Sequence, residues 1–391
     1  MQQNTKIITR TVWILSLVSL FTDIASEMLY PVMPVYLKSI GFSVVLIGVL
    51  EGIAEAVAGF SKGYFGNLSD HLGKRVPFVQ LGYTLSTISK PMMAVFTAPL
   101  WIFSARTLDR LGKGIRTGAR DAILSDEATP QTKGKVFGFH RSMDTLGAVI
   151  GPGLALLYLW FFPGAYKPLF LIAFVPGLLA IVSSLLLKEK AIPAKQEKKN
   201  LSFLAFVAYW KKSPAAYRKL VSGLLLFALF NSSDVFLLLK ARQSGLSDEA
   251  VIGIYIFYNL VYAVFAYPLG RLADRIGLRP VFIAGLVLFG VVYFGAALVS
   301  GPALFYVVFL VYGLYAAATE GISKAWISNV CDKKDTATAI GTFAAFQSIC
   351  ALVASVMAGL IWQQFGAAAT FIVTGVLTLV VTIYFLIIRI A

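Results

Sequence analysis

Long apolar stretches separated by short polar punctuation run along nearly the whole chain. A membrane-spanning helix needs about 20 mostly apolar residues, because it rises roughly 1.5 Å per residue across about 30 Å of hydrocarbon. Twelve stretches meet that requirement: 11–38, 44–66, 77–96, 99–122, 137–160, 167–187, 218–240, 249–270, 280–299, 303–325, 339–361 and 367–389. The one long interruption, KEKAIPAKQEKKN, is charged and aperiodic, and the LSFLAFVAYWKK that follows has a mixed face suited to a membrane surface. The pattern predicts an all-α membrane protein of twelve transmembrane helices. Six form an N-terminal bundle over 1–187, a linker with an interfacial helix covers 188–217, and six more form a C-terminal bundle over 218–391. Met1 to Arg10 is short and polar, with no small-residue cleavage site after the first apolar stretch, so that stretch is expected to be a span and not a cleaved signal.

Composition strengthens the membrane reading. The 391 residues are 58% hydrophobic and only 14% charged, whereas soluble domains carry about 25% charged residues. A net charge of +15 in a soluble protein would suggest nucleic acid, but here the basic residues alternate by loop. Lys74 and Arg75, Lys133 and Lys135, Lys188 through Lys219, Arg275 and Arg279, and Lys333 and Lys334 fall in one set. The opposite loops near 97–99, 161–166, 300–302 and 363–367 carry no Lys or Arg. Cytoplasmic loops are the basic ones, so both termini are expected in the cytoplasm and no nucleic acid partner is expected. Cys331 and Cys350 form no metal-binding spacing with His71 or His140, and neither a disulfide framework, a metal site nor a cofactor is expected.

An internal repeat supports the six-plus-six division. GNLSDHLGKR at 66–75 returns as GRLADRIGLR at 270–279, matching Gly66, Leu68, Asp70, Gly73 and Arg75 with Gly270, Leu272, Asp274, Gly277 and Arg279 at a constant offset of 204. A parallel repeat of this kind implies two bundles related by an axis along the membrane normal.

These residues carry a resemblance to the major facilitator superfamily that covers the whole chain. Its loop signature G-x-L-a-D-r-x-G-r-k/r is met by Gly66, Leu68, Asp70, Gly73, Lys74 and Arg75. Arg110-Leu111-Gly112-Lys113-Gly114 is similar to its helix-four signature R-x-x-q-G, with Lys113 in place of glutamine. Gly147-Ala148-Val149-Ile150-Gly151-Pro152 is similar to the helix-five G-x-x-x-G-P of proton-coupled antiporters, which are mostly exporters; Ala155 and Leu156 stand where that pattern ends in glycines. The resemblance implies rocking of two bundles about a midplane site, with contacts between bundles that form when the cytoplasmic side closes. Gly66 and Gly73 then allow a tight turn beneath a neighbouring helix. Asp70 faces the positive end of another helix, and Arg75 pairs with an acid at the end of the fourth span, Asp121 first and Asp126 second. Gly270, Asp274 and Arg279 repeat the arrangement, and Gly147, Gly151 and Pro152 join the gating set.

Ionisable residues at bilayer depth cost several kcal/mol, so each needs a partner or a task. Asp23 and Glu27 lie four apart on one helical face of the first span. Two carboxylates so close in low dielectric do not both ionise cheaply unless cations lie nearby, so one is expected to hold a proton. Asp109, Lys113, Arg116 and Arg120 form a stripe on the fourth span, with Arg106 and Arg110 on its flank, and the fifth adds His140, Arg141 and Asp144. This set is either a structural ion-pair lattice or partly exchangeable. In the exchangeable case Asp23, Glu27 and Asp144 take protons, and Arg106, Arg110, Lys113 and Arg141 hold substrate. Glu51 and Glu55, also four apart, line an exit route or join the span-one acids. The second half offers Asn231, Asp234 and Glu320 as substrate contacts, with Asp234–Lys240 and Glu320–Lys324 pairing as the alternatives, and aromatics such as Phe227, Tyr255, Tyr258 and Tyr262 as an apolar wall.

The expected function is a secondary active transporter exporting a small organic solute, anionic or amphiphilic, by proton-coupled alternating access. The alternatives are an importer, a carrier of a metal ion or siderophore, or a lipid flippase or scramblase on the same scaffold. No nucleophile elbow or P-loop is present, so no enzyme is expected. The partners are the small-molecule substrate, protons and membrane lipids, for a monomer in a bacterial inner membrane.

Overall fold

The computed structural model describes residues 7–190, 205–299 and 301–388. Residues 1–6 of the polar N-terminus and 191–204 of the expected linker lie outside the described residues. The described chain is helical throughout, in fourteen α-helices and one short 3₁₀ turn, with no strand. In the first half these are α1 (Arg10–Leu29), α2 (Met33–Ser39), α3 (Val44–Leu72), α4 (Val76–Val95), α5 (Pro99–Asp126), α6 (Lys133–Phe161) and α7 (Tyr166–Ser184). A short α8 (Ala205–Lys212) precedes α9 (Ala215–Ala228), α10 (Val235–Gln243), α11 (Asp248–Ile276), α12 (Leu278–Leu298), α13 (Pro302–Val330) and α14 (Thr336–Ile387).

Helix starts follow local chemistry. Thr9, Ser43 and Ser247 cap α1, α3 and α11 by accepting from the N–H of Val12, Leu46 and Ala250. Prolines occupy the first turns of α2, α4 and α5, where their missing N–H is no loss. Gly73 ends α3 with φ 63°, a left-handed cap that a Cβ would strain.

Two of the twelve apolar stretches are not single helices. The first is interrupted at Tyr30–Val32, between α1 and α2, beside Pro31 and Pro34. The seventh is interrupted over 229–234, between α9 and α10, by a run containing Asn231-Ser232-Ser233-Asp234, whose side chains compete with helix for backbone hydrogen bonds. The last two stretches are two helices within α14 that meet at Gly366, whose φ of 85° and ψ of 172° are not helical. Seven described helices are long and apolar enough to cross a membrane by length and composition alone; α3, α4 and α5, which carry most of the buried charge, are not among them.

The chain forms two compact units that exchange short segments. Unit 1 comprises 1–129, 143–212 and 331–345; unit 2 comprises 130–142, 213–330 and 346–391. In unit 1, α4 packs along α5 and α7, α3 along α5, and α1 along α7. In unit 2, α11 and α12 both pack on α13. The first turns of α6 thus belong to unit 2, and the first turns of α14 to unit 1.

Candidate functional site

Unit 1 holds two groups of charge, buried or half-buried except at Glu55 and Lys113. In the first, Lys90 of α4 pairs with Asp109 of α5 at 2.7 Å and donates to Ser26 Oγ at 3.2 Å. Arg106 binds Glu51 of α3 through two nitrogens, at 2.7 and 2.9 Å, and reaches Asp109 at 3.4 Å. Arg110 takes Glu55 at 3.1 Å and Glu51 at 3.7 Å. Three cations meet three carboxylates, which ties α3, α4 and α5 together without net charge. Glu51 and Glu55 therefore join the span-four arginines and not the span-one acids. Arg106 and Arg110, expected at the substrate, are already matched.

The second group gathers around α1. Asp23 makes no hydrogen bond or ion pair among the described residues; Asp144 and Glu27 repel it, while Lys113 and Arg116 attract it. Gly147 and Gly151 of α6 pack on the α1 backbone beside these acids, where a Cβ would meet Asp23 and Leu20 or Ile24 and Met28. Pro152 follows, buried within an unbroken α6. Arg116 is buried with no carboxylate in ion-pair range: it donates to Ser86 Oγ at 2.7 Å and lies 4.5 Å from the centre of the Tyr83 ring. Arg120 pairs with Asp121 at 2.9 Å and lies 4.0 Å from Asp144. Lys113 is exposed. Asp23 and Glu27 thus lie among Asp144, Lys113 and Arg116, and of these acids it is Asp23 that has no hydrogen bond or ion pair among the described residues.

The loop signature closes onto a helix end in each unit. In unit 1 the buried Asp70 accepts from Thr338 N at 2.7 Å and Thr338 Oγ1 at 2.8 Å, in the first turn of α14, and its other oxygen meets Arg75 at 3.2 Å. Arg75 also pairs with Asp126. The acid that meets Arg75 is therefore Asp126, the second of the two offered by the sequence, because α5 continues past 122 and carries Asp126 in its last turn. Asp121 pairs with Arg120 instead. A Cβ on Gly66 would run into the carbonyl of Ala337. Glu189 caps α4, accepting from Arg75 N at 3.0 Å and Val76 N at 2.8 Å. Beside it Lys190 pairs with Glu127 at 2.5 Å, and Thr9 donates to the same carboxylate at 2.5 Å. Burial opposes ionisation of Glu127, but these hydrogen bonds and the lysine charge outweigh it and hold its pKa below the usual range.

In unit 2 Asp274 accepts from Gly134 N at 2.7 Å and Lys135 N at 2.8 Å, in the first turn of α6, and a Cβ on Gly270 would run into the carbonyl of Gly134. Burial lifts the Asp274 pKa, and the two N–H donors and the Lys135 charge only partly offset it. Arg279 does not pair with it; it donates to the carbonyls of Phe385 (2.9 Å) and Leu386 (2.7 Å) at the end of α14. Elsewhere in unit 2, Arg141 meets Glu320 at 3.5 Å. Asn231 donates to Tyr315 Oη at 3.1 Å. Asp234 sits at the start of α10 without a Lys or Arg partner, so the expected Lys240 pair does not form.

Sequence reasoning missed the partners more than the residues. Lys90, Glu51 and Glu55 were visible as charges within apolar stretches, yet their spacing fixes only a face of their own helix, not the neighbour it meets. The breaks at Tyr30–Val32 and 229–234 had signals in Pro31, Pro34 and the Asn-Ser-Ser-Asp run.

The geometry agrees with what the chain is similar to. The sequence model of the Major Facilitator Superfamily matches residues 15–258 and 238–390. An uncharacterized MFS-type transporter of Methanocaldococcus jannaschii is 32% identical over 384 residues, 97% of this chain and 94% of that one. The staphyloferrin B transporter of Staphylococcus aureus is 25% identical over 397 residues, covering 96% of this chain and 91% of the relative. Among solved structures, the human organic anion transporter MFSD10 superposes with a TM-score of 0.80 at 17% identity, over 96% of this chain and 99% of that one, a likeness of fold. A continuous helical chain with buried charge in its apolar helices, a twice-used loop signature and a family match along nearly its whole length is a multi-pass membrane transporter: the chain belongs to the Major Facilitator Superfamily.

Proposed function

We propose that the chain is a proton-coupled secondary active transporter that exports a small organic solute by alternating access. The observation that carries this reading is Asp23 itself, which makes no hydrogen bond or ion pair among the described residues and lies between the charges of Asp144 and Glu27 and those of Lys113 and Arg116. A proton on Asp23 removes a negative charge at bilayer depth, and its loss restores that charge with no ion pair to hold it. An acid that gains and loses its proton at such a place is what coupling requires: protonation and deprotonation change which arrangement of α1, α5 and α6 is cheapest. Asp23 and Glu27 are the acids that exchange, Asp144 and Arg120 tie α6 to α5, and Lys113 supplies the exposed cation. Two six-helix bundles, 1–187 and 218–391, rock about this site with both termini in the cytoplasm, as a monomer among the lipids of a bacterial inner membrane. The clasps at Asp70 and Asp274 act as the gate.

For an anionic substrate Arg106 and Arg110 are held by Glu51, Glu55 and Asp109, which leaves the exposed Lys113 as its contact in unit 1. A siderophore carrier is the second reading, favoured by the likeness to the staphyloferrin B transporter along nearly the whole chain. The test is a solute library added to proteoliposomes that enclose a pH dye. The wild type should move protons when its solute moves. Asp23→Asn should lose that proton movement while the solute still raises the melting temperature of the purified protein. Solute flux indifferent to a pH gradient, or a full proton response in Asp23→Asn, would sink the coupling.

A further inference from the structure

The interruption of the seventh apolar stretch is the feature the transporter reading leaves unexplained. Asn231 lies twelve residues beyond Lys219, about 18 Å into the membrane at roughly 1.5 Å per residue, close to mid-bilayer. Non-helical backbone at that depth survives only where protein covers it or where it lines a cavity, since hydrocarbon satisfies no N–H or C=O. The break 229–234 also ends in Asp234, a largely enclosed carboxylate with no Lys, Arg or His paired to it among the described residues. Asp109, by contrast, has Lys90 and Arg106, and Glu320 has Arg141. The segment that carries Asp234 meets tyrosines instead: Asn231, three residues earlier, donates to Tyr315 Oη at 3.1 Å.

The charge of Asp234 acts on Tyr258, Tyr293 and Tyr312. Tyr258 and Tyr312 have ring centroids 5.1 Å apart, Tyr312 and Tyr315 5.4 Å, and Asn231 fixes the Tyr315 hydroxyl at 3.1 Å. Glu320 also acts on Tyr258 and Tyr315, but Arg141 answers its charge. One carboxylate without a cation partner, hydrogen-bonded only within its own turn by Ser233 and the backbone N–H groups there, therefore lies within electrostatic reach of a cluster of electron-rich rings in unit 2. Tyrosine faces attract a cation through the ring quadrupole, most strongly where water is excluded, and a single carboxylate completes the counter-charge.

We infer that Asp234, with Tyr258, Tyr312 and Tyr315, forms a binding site for the positively charged centre of an organic cation. The site deepens the transporter reading by naming its substrate class and rests on that reading only for transport, not for binding. Asp234 supplies the counter-ion, the rings supply an apolar wall that takes a quaternary or alkylated centre in preference to a hydrated metal ion, and Asn231 orients the wall.

Two probes of nearly equal size and opposite charge test it: tetraphenylphosphonium and tetraphenylborate, titrated against the purified full chain. The wild type should bind the phosphonium at least about tenfold tighter than the borate, and Asp234→Asn should weaken the phosphonium about tenfold while leaving the borate no weaker. Tyr312→Phe, which keeps the ring, should stay within about twofold of the wild type, and Tyr312→Leu should lose about fivefold or more. That ring series decides the matter should Asp234→Asn fail to fold. Equal affinity for the two probes, an unchanged Asp234→Asn, or Tyr312→Leu equal to Tyr312→Phe overturns the site. In proteoliposomes, phosphonium binding without gradient-driven flux would leave the site standing and overturn the transporter reading. Gradient-driven phosphonium flux undiminished in Asp234→Asn would do the reverse.

Discussion

Asp70 and Asp274 descend from the same repeated loop and do the same first thing, but one is braced by charge and the other is not. Each lays its carboxylate on the first turn of a helix from the other half of the sequence: Asp70 on Thr338 N, Asp274 on Gly134 N, and these partners are themselves separated by 204 positions, as the aspartates are. Each is admitted by a glycine four residues earlier that meets a backbone carbonyl. The helix end then supplies partial positive charge to both. Beyond that the copies part. Asp70 is joined by the buried Arg75, which a second acid, Asp126, balances in turn, and Glu189 caps the helix that follows. Arg279 turns away to close the end of α14, and where Glu189 caps the N–H of Val76 the second copy has Pro280, with no N–H to cap. Duplication supplied the same contact twice, and its surroundings made one into a charged lock and left the other a backbone latch.

If that difference matters to transport, removing the braced aspartate should do the most damage. Asp70→Ala leaves Arg75 buried beside a single acid and should abolish flux at unchanged membrane abundance. Asp274→Ala, which strands no cation, should reduce flux only severalfold; equal losses would erase the distinction. The feature shared by both copies should respond alike: Gly66→Ala and Gly270→Ala each force a Cβ against a carbonyl, and each should lower flux by about tenfold through overpacking of a backbone contact. A large loss in one and none in the other would show that the two crossings are not equivalent.

The smallest effect is in pH. The Asp274 pKa is raised in the folded protein, so the folded chain holds that proton more tightly than the unfolded chain does. Its contribution to stability is greatest below the ordinary aspartate pKa of 3.8 and declines as pH rises through the raised value. Asp274→Asn removes the titration. Its melting temperature should therefore gain on the wild type as pH rises from about 4 toward neutrality, and a difference that shrinks over that range would contradict the assignment.

How much of this was readable in advance depended on whether a residue acts within its own element or across to another. Helix placement followed from apolar length, so α4, α5, α7 and α12 fall within a few residues of the stretches that predicted them. The repeat was legible because both copies lie in register, and the encounter of Asp70 with a helix N-terminus followed from its charge. Which helix it meets was not legible, nor was the choice of Asp126 over Asp121, which turns on α5 extending one further turn. Lys90 shows the limit most clearly: a lone lysine in an apolar stretch announces a buried partner, yet Asp109 is identified only once α4 and α5 are packed together.

The crossings at Gly66 and Gly270 have a consequence for speed. In unit 1 Gly66 and Gly118 lie against Ala337, and Gly341 against the Lys62 backbone; in unit 2 Gly134 and Gly138 lie against Gly270 and Ala266. Gly and Ala give up no rotamer freedom on contact, whereas ordering a long side chain costs up to about 2 kcal/mol. If these surfaces part and rejoin as the proposed gate requires, no side chain has to search for its conformation, and no entropic cost of that kind accrues per cycle. In that gate the opening rate would be left to the few polar anchors beside them, where a single substitution would tune it.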